Sequence, residues 1–385
     1  IDLGQAANFG KIRLQTQLDP LSNAMLQTRT GSVPDPKVYY SKTEVFEGED
    51  RQELPILPVG SPEAKEEYDD LTSSKKGEIV DNIDEWTPWS APYEDFFGDL
   101  LSPGNRQYVQ FRLLFSSDDA RQSALVDSFS FDYSIPTLAA EITAEVTPAT
   151  VTLGESNTFD YYIRSNFDAA NAGFDQVQIR TPFKATVQAV ELDGVPIAFS
   201  EIDTEKENSL AIELTNDRVT VSGQVLRITF DALVTVYGTT FFAKVFDSQT
   251  GELGQDVVPG DATPSAEANR LSIQGALRQE LVLELKANPP VFTPNGDGIN
   301  DELQVSYILL RALVQVPIDV TLYDLSGRSI RRLKNNGALN GPQQLLWDGK
   351  NEDGVMAPPG IYLLRLSIDT DTGSENRTLL VGLAY

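Results

Sequence analysis

Four oxygen-bearing side chains, Asn295, Asp297, Asn300 and Asp301, share one glycine-punctuated run, Pro294–Asp301 (PNGDGIND). Carboxylate and amide oxygens spaced in this way are the donors that a hard cation such as Ca²⁺ takes. The EF-hand pattern is not matched, because Gly298 falls too early and no Glu occupies the twelfth position. The competing expectation is an Asx-rich turn whose carboxylates bond backbone N–H groups. A second group is aromatic: Trp86, Trp89, Tyr93, Phe96 and Phe97 cluster in a stretch with loop character. Exposed rings of this kind form a platform for polysaccharide or for a partner protein. The competing expectation is a set of plugs at the end of a core, with their N–H and O–H groups bonded locally.

Much other chemistry is excluded by composition. The chain has no histidine and no cysteine. Ser-His-Asp and Cys-His mechanisms, thiol nucleophiles, disulfides and thiolate metal sites are therefore absent. Of the common mechanisms, a paired-carboxylate one, as in glycosidases, survives most readily. Asp84 and Glu85, near the tryptophans, read as solvated loop charges rather than such a pair, so the chain is read as not an enzyme. The formal net charge of −27 would repel nucleic acid and anionic membranes and attract hard cations. The same acidity also keeps an exported protein soluble. No run approaches the ~18 consecutive apolar residues of a membrane span. The numbering opens at Ile1 rather than Met, which fits a removed leader or propeptide.

The elements that must position these residues are strands. Gln107–Phe115 (QYVQFRLLF) places Val109, Phe111, Leu113 and Phe115 on one face. Asp127–Tyr133 (DSFSFDY) does the same with Phe129, Phe131 and Tyr133. Further runs fall at Val219–Val236, Ile318–Tyr323 and Ile361–Ile368. One short helix is expected from the Ser61-Pro62-Glu63 cap, inside a charged stretch over about Lys42–Asp99 that reads as a long insertion. Turn-rich linkers at Ser134–Thr137 and Val258–Asn269 divide the chain.

Three resemblances follow from these blocks. The opening strands, the Trp86–Trp89 segment and the Arg106–Arg112 strand (RQYVQFR) resemble a galactose-binding-like jelly roll. Ile142–Glu155 (ITAEVTPATVTLGE) followed by Phe159–Ile163 resembles the opening of Ig-like bacterial surface repeats. Physically, Gly154 supplies a tight turn, Val151 and Leu153 point inward, and Asp193-Gly194 makes a hairpin turn. The last segment carries PNGDGIND, Val320–Arg328 (VTLYDLSGR), Trp347-Asp348-Gly349-Lys350 and Pro359-Gly360-Ile361-Tyr362 in that order. It resembles the Ig-like domain of the flagellar hook-capping family and the C-terminal domains of gliding-motility and type IX-exported proteins. That resemblance implies a small Ig-like sandwich appended to an exported protein, which in the type IX cases acts as a secretion or anchoring signal. The chain ends in Arg377–Tyr385 without a distinctive basic tail, which speaks against a sorting role.

The expected fold is all-β, with three β-sandwiches in series: jelly-roll-like over 1–136, Ig-like over 137–275, and hook-capping-type Ig-like over 276–385. The expected function is that of a non-enzymatic, secreted or cell-surface bacterial protein. It would be structural or adhesive and assemble with itself or with protein partners. The alternative is the ancillary carbohydrate-binding region of a larger secreted hydrolase, with the aromatic cluster as its platform.

Overall fold

Period-two burial puts one face of each strand on a core, and this rule organises most of the chain. The structure, a computed structural model, describes residues 1–42, 53–56, 58–204, 208–266, 268–276, 279–310, 312, 315–370 and 373–385. Among the described residues it is an all-β protein with one helix.

The first segment is framed by four long strands: β1 (Asp2–Leu18), β2 (Ser22–Gly31) and, after an insertion, a closing pair. The insertion holds β3 (Lys37–Lys42), β4 (Glu53–Pro55), α1 (Pro62–Asp70) and β5 (Lys76–Asp81). Then come β6 (Phe97–Asp99), β7 (Arg106–Ser117) and β8 (Ala124–Ser134). β2 pairs antiparallel with β7, while β1 pairs antiparallel with β8 and, over three residues, with β6. The two ribbons face each other across Ile12, Leu14, Leu26 and Tyr93. Phe9 and Val109 continue the packing at one end.

The helix forms where its signals place it. Ser61 Oγ accepts from the Ala64 N–H at 3.2 Å, and Pro62 occupies the first turn, where no N–H is needed. The charged stretch around it is more than a loop. Its residues 43–52 and 57 lie outside the described residues. The rest builds a β4–β3–β5 sheet with α1 packed on it. Tyr39, Ile56, Ala64 and Tyr68 form its core. Those residues come from three separate places in the chain, so no linear period announces them.

The middle segment stacks a six-stranded sheet on a five-stranded one. Strand 156–166 lies between Glu141–Thr147 and Val225–Leu233 in continuous antiparallel register. Phe159, Phe230 and Phe241 meet at the centre, with ring centroids 5.0 to 5.7 Å apart. Val151 and Leu153 are buried. Asp193 and Gly194 adopt positive φ and turn the chain between Leu192 and its partner Val195. The hairpin is short: after Pro196 the chain crosses, and Phe199–Glu201 joins the opposite sheet.

The last segment has the same two-layer plan, with a three-stranded and a five-stranded sheet. Trp347 is its central plug. Its ring lies 5.1 Å from Phe292 and 5.3 Å from Tyr362, and its Nε1–H donates to the Lys350 carbonyl at 2.9 Å. Burial of so large a ring is worth about 3–5 kcal/mol against truncation to Ala.

Neighbouring segments are seated on one another. At the first junction, Asn105 Nδ2 donates to the Ala140 carbonyl at 2.7 Å, and Asn8 Nδ2 reaches the Leu253 carbonyl. At the second junction, Leu283 lies over Gly154, and the Phe183 ring lies over Gly341. Gly154 has φ +77°, and an added Cβ would fall 2.3 Å from Leu283 Cδ1. Gly154→Ala is therefore expected to destabilise by at least the ~1–2 kcal/mol cost of a left-handed L-residue. Thermal unfolding compared with Gly194→Ala, where φ is equally positive but space is open, separates the contact from the backbone strain.

Candidate binding surfaces and the C-terminal domain

The aromatic cluster does not make a single platform. After β5 the chain lies along the free edge of β2, with Thr87 N–H donating to Thr30 O and Ser90 N–H to Thr28 O. This path carries Trp86 into the interior, where its Nε1–H donates to the Val33 carbonyl at 2.9 Å. Tyr93 is also buried. Its hydroxyl bonds Thr28 Oγ1 and accepts from the Leu101 N–H, and burial pushes its phenol above the ordinary range. Phe96 packs half-buried on the same core. Trp89 is clamped between two guanidinium groups, Arg29 at 4.6 Å and Arg112 at 4.4 Å from its ring. Arg29 also lies 5.3 Å from the Trp86 ring. Phe97 alone of the five is well exposed, beneath Lys11 and Arg13. The five rings therefore do not share one exposed face. Two rings are core, and a third has two cations, 4.6 Å and 4.4 Å from its ring centre. What the residues build is a ladder of alternating Trp and Arg that pins the 86–93 path to the β2–β7 ribbon.

The four oxygen-bearing residues of PNGDGIND do come together, as one exposed loop. Asp301 accepts from the Gly296 and Gly298 N–H groups, both at 2.7 Å. Asn295 Oδ1 accepts from Asp297 N–H, and Asp297 Oδ1 from Ile299 N–H at 2.8 Å. Asn295 Nδ2 donates to Asp297 Oδ2 at 3.1 Å. The oxygens are engaged by the loop's own amides, as in an Asx turn. Asn300 contributes its backbone, with φ +57° and its carbonyl accepting from Thr293 N–H. Among the described residues, no group of three acidic side chains is placed to hold a metal ion.

Polar clusters in the middle segment went unseen in the sequence. Arg218 donates to Asp175 at 2.8 Å and to Asp247 at 2.9 Å, and both carboxylates are buried. Ser248 and Gln249 add backbone N–H donors, while Ser248 Oγ and Thr250 Oγ1 complete the shell. Burial by itself would raise the Asp247 carboxyl. The Arg218 hydrogen bond and the Gln249 N–H together hold it below the usual range. Glu145 is fully buried and accepts from the Ala262, Thr263 and Asn269 N–H groups. The linear separations, 43 and 29 residues within the Arg218 cluster, leave no motif to find.

Two surface grooves among the described residues carry no nucleophile–base pair. One groove of about 420 Å³ is lined by Arg331, Arg332, Leu333, Leu345, Leu346 and Glu352. Another of about 320 Å³ runs between Val282–Leu285 and Arg377–Leu379. No described helix is long and apolar enough to cross a membrane.

With that geometry in place, the comparison with protein families is decisive for one segment. Residues 286–381 match the CHU_C Type IX secretion signal domain. This is a secreted or cell-surface bacterial protein. The match is to a secretion signal, so the missing basic tail carries less weight against sorting than the sequence reading gave it. No curated protein matches the chain. Among solved structures, it is similar to dimeric latent PorU from Porphyromonas gingivalis, at 13% identity and TM-score 0.24. That alignment covers 99% of this chain but only 34% of PorU. The full-length major pilin SpaD from Corynebacterium diphtheriae aligns at 11% identity and TM-score 0.25, covering 98% of this chain and 92% of SpaD. The N-terminal domain of the Streptococcus gordonii adhesin Sgo0707 aligns at 11% identity and TM-score 0.26, covering 68% and 57%. TM-scores this low carry no argument about function.

The Arg218 cluster generates a pH-dependent expectation. A carboxylate depressed by folding contributes its stability in full above about pH 4, and loses it as pH falls through the depressed value. Arg218→Gln leaves two buried carboxylates without their cation and is expected to cost about 3–5 kcal/mol at pH 7. Urea unfolding at pH 7 and pH 3 should show the gap to the native protein narrowing on acidification. An equal gap at both values would assign the loss to packing.

Proposed function

We propose that this protein is a non-enzymatic cargo of the type IX route, in which the C-terminal domain directs export and the two preceding sandwiches serve as structural or adhesive modules. The C-terminal match to a secretion signal domain supports the export half of the reading. For the structural half, the support is chemical. A chain without His or Cys, whose two described grooves pair no base with a nucleophile, is poorly equipped for proton shuttling near neutrality. The acidic side chains that come together are engaged by backbone amides or by arginine, as at Asp301, Glu145 and Asp247. Serial sandwiches with seated junctions hold a distal surface away from the point of attachment, which suits display. Ca²⁺ at the PNGDGIND loop remains an open proposal with a direct check: addition of Ca²⁺ should raise the melting temperature of the native chain and leave Asp301→Asn unmoved.

Export is tested in a bacterium that carries the type IX system. The whole chain and a version lacking residues 281–385 are expressed, and the cell envelope, surface and medium are separated. The whole chain is expected on the surface or in the medium, and the shortened one inside the envelope. Equal export of both would sink the assignment.

A further inference from the structure

The first segment's sandwich is closed along one side and open along the other. From Gln110 to Ser117, β7 pairs only with β2, and β8 pairs only with β1. Among the described residues no strand lies on the outer edge of either. The apolar faces emerge from the core toward that side. Val109 is fully buried, Phe111 is 39% exposed and Phe115 is 53% exposed, although all three share the inward face. On the outer face of β8, Leu125 is also 53% exposed. Natural edge strands are usually blunted by Lys, Pro or cover from a neighbouring element, and neither β7 nor β8 contains Lys or Pro. Two long unpaired edges beside large exposed apolar side chains call for an extended chain that supplies both backbone partners and a matching apolar face.

We infer that the occupant is a second copy of this chain, joined about a two-fold axis parallel to the strands, with the β7 of each copy pairing with the β8 of the other. The inference rests on the reading of the protein as a structural module and names its partner. Three observations select a second copy. β7 and β8 run in opposite directions on either side of the 118–123 turn, so the rotation brings them together antiparallel. The Phe111 and Phe129 rings touch at 4.3 Å, so the two edges run level, and the rotation preserves that level. The faces also match: Phe111, Leu113 and Phe115 of one copy continue into Val126 and Phe129 of the other.

Charge complements this register. On the outer face of β7, Arg112 donates Nε–H to Gln27 and stands 4.4 Å from the Trp89 ring centre, so to reach across the open edge its guanidinium must swing away from that ladder. On β8, Asp127 accepts from Gln17 through Oδ2 and from nothing else among the described residues. The rotation brings Arg112 within about two residues of Asp127 of the other copy, a reach its long side chain covers. The interface is isologous, so it closes as a dimer rather than growing into a fibre.

The test is sedimentation equilibrium of the whole chain across a concentration series, with hydrogen exchange on the same samples. The native chain is expected to reach twice its monomer mass, with slowed exchange at the amides of β7 and β8 as the dimer forms. Phe115→Asp, at an exposed position, should weaken association on the order of a hundredfold without moving the melting temperature. Arg112→Asp and Asp127→Arg should each weaken it by about tenfold, and the double variant should recover most of the loss. A native chain that stays monomeric throughout overturns the inference, as does one that binds only a different extended peptide. Association indifferent to Phe115→Asp and to the charge exchange overturns it too. Any of these results from a chain that is still exported leaves the export reading standing, so the two fail separately.

Discussion

Every strand in this protein must satisfy two demands at once: an apolar face needs a core, and each backbone edge needs a partner or water. No disulfide relieves the first demand, because there is no cysteine. Stability therefore comes from stacked sheets with aromatic centres, such as Phe159, Phe230 and Phe241 in the middle segment and Trp347 in the last. The second demand is met differently along the chain. The 86–93 path covers the edge of β2, while among the described residues the outer edges of β7 from Gln110 onward and of β8 have no strand beside them. The association inferred above uses the side where the fold stops short of closing itself.

Polar burial follows the same logic. The loop through Ala262–Asn269 has backbone N–H groups that turn inward, and Glu145 collects three of them. Arg218 bridges two buried carboxylates whose remaining lone pairs are taken by Ser248, Gln249 and Thr250. Such networks specify one arrangement because any partial version leaves an unpaired group in a low dielectric. They hold the middle segment's own loops against its sheets. In the last segment, Asx turns at Asp301 and Asp324 do this work at the surface, with Asp324 accepting from the Ser326 and Arg328 N–H groups.

Much of this was legible in the linear chain, and for a local reason. Strand alternation, the Ser61 cap, the Asp193-Gly194 turn, the inward Val151 and Leu153 and the Trp347 plug all depend on neighbours within a few residues. So do the bonds inside PNGDGIND. The type IX resemblance was legible too, because its motifs are turns and plugs in fixed order, and the family match covers that same stretch. The small sheet inside the insertion was not legible, because its core draws on Tyr39, Ile56 and Tyr68 from separated elements.

The sequence by itself determined an all-β, exported, acidic protein without His or Cys chemistry, since period, turn residues and composition are properties of neighbours and counts. Only the tertiary structure decided which faces and edges are spent. It sank Trp86 and Tyr93 into the core, set Trp89 between two arginines, and assembled Asp175, Arg218 and Asp247. It also left Phe115 and Leu125 in water beside unpaired edges. These outcomes turn on pairing between residues tens of positions apart, where burial depends on which strand arrives alongside and not on the residue's own type.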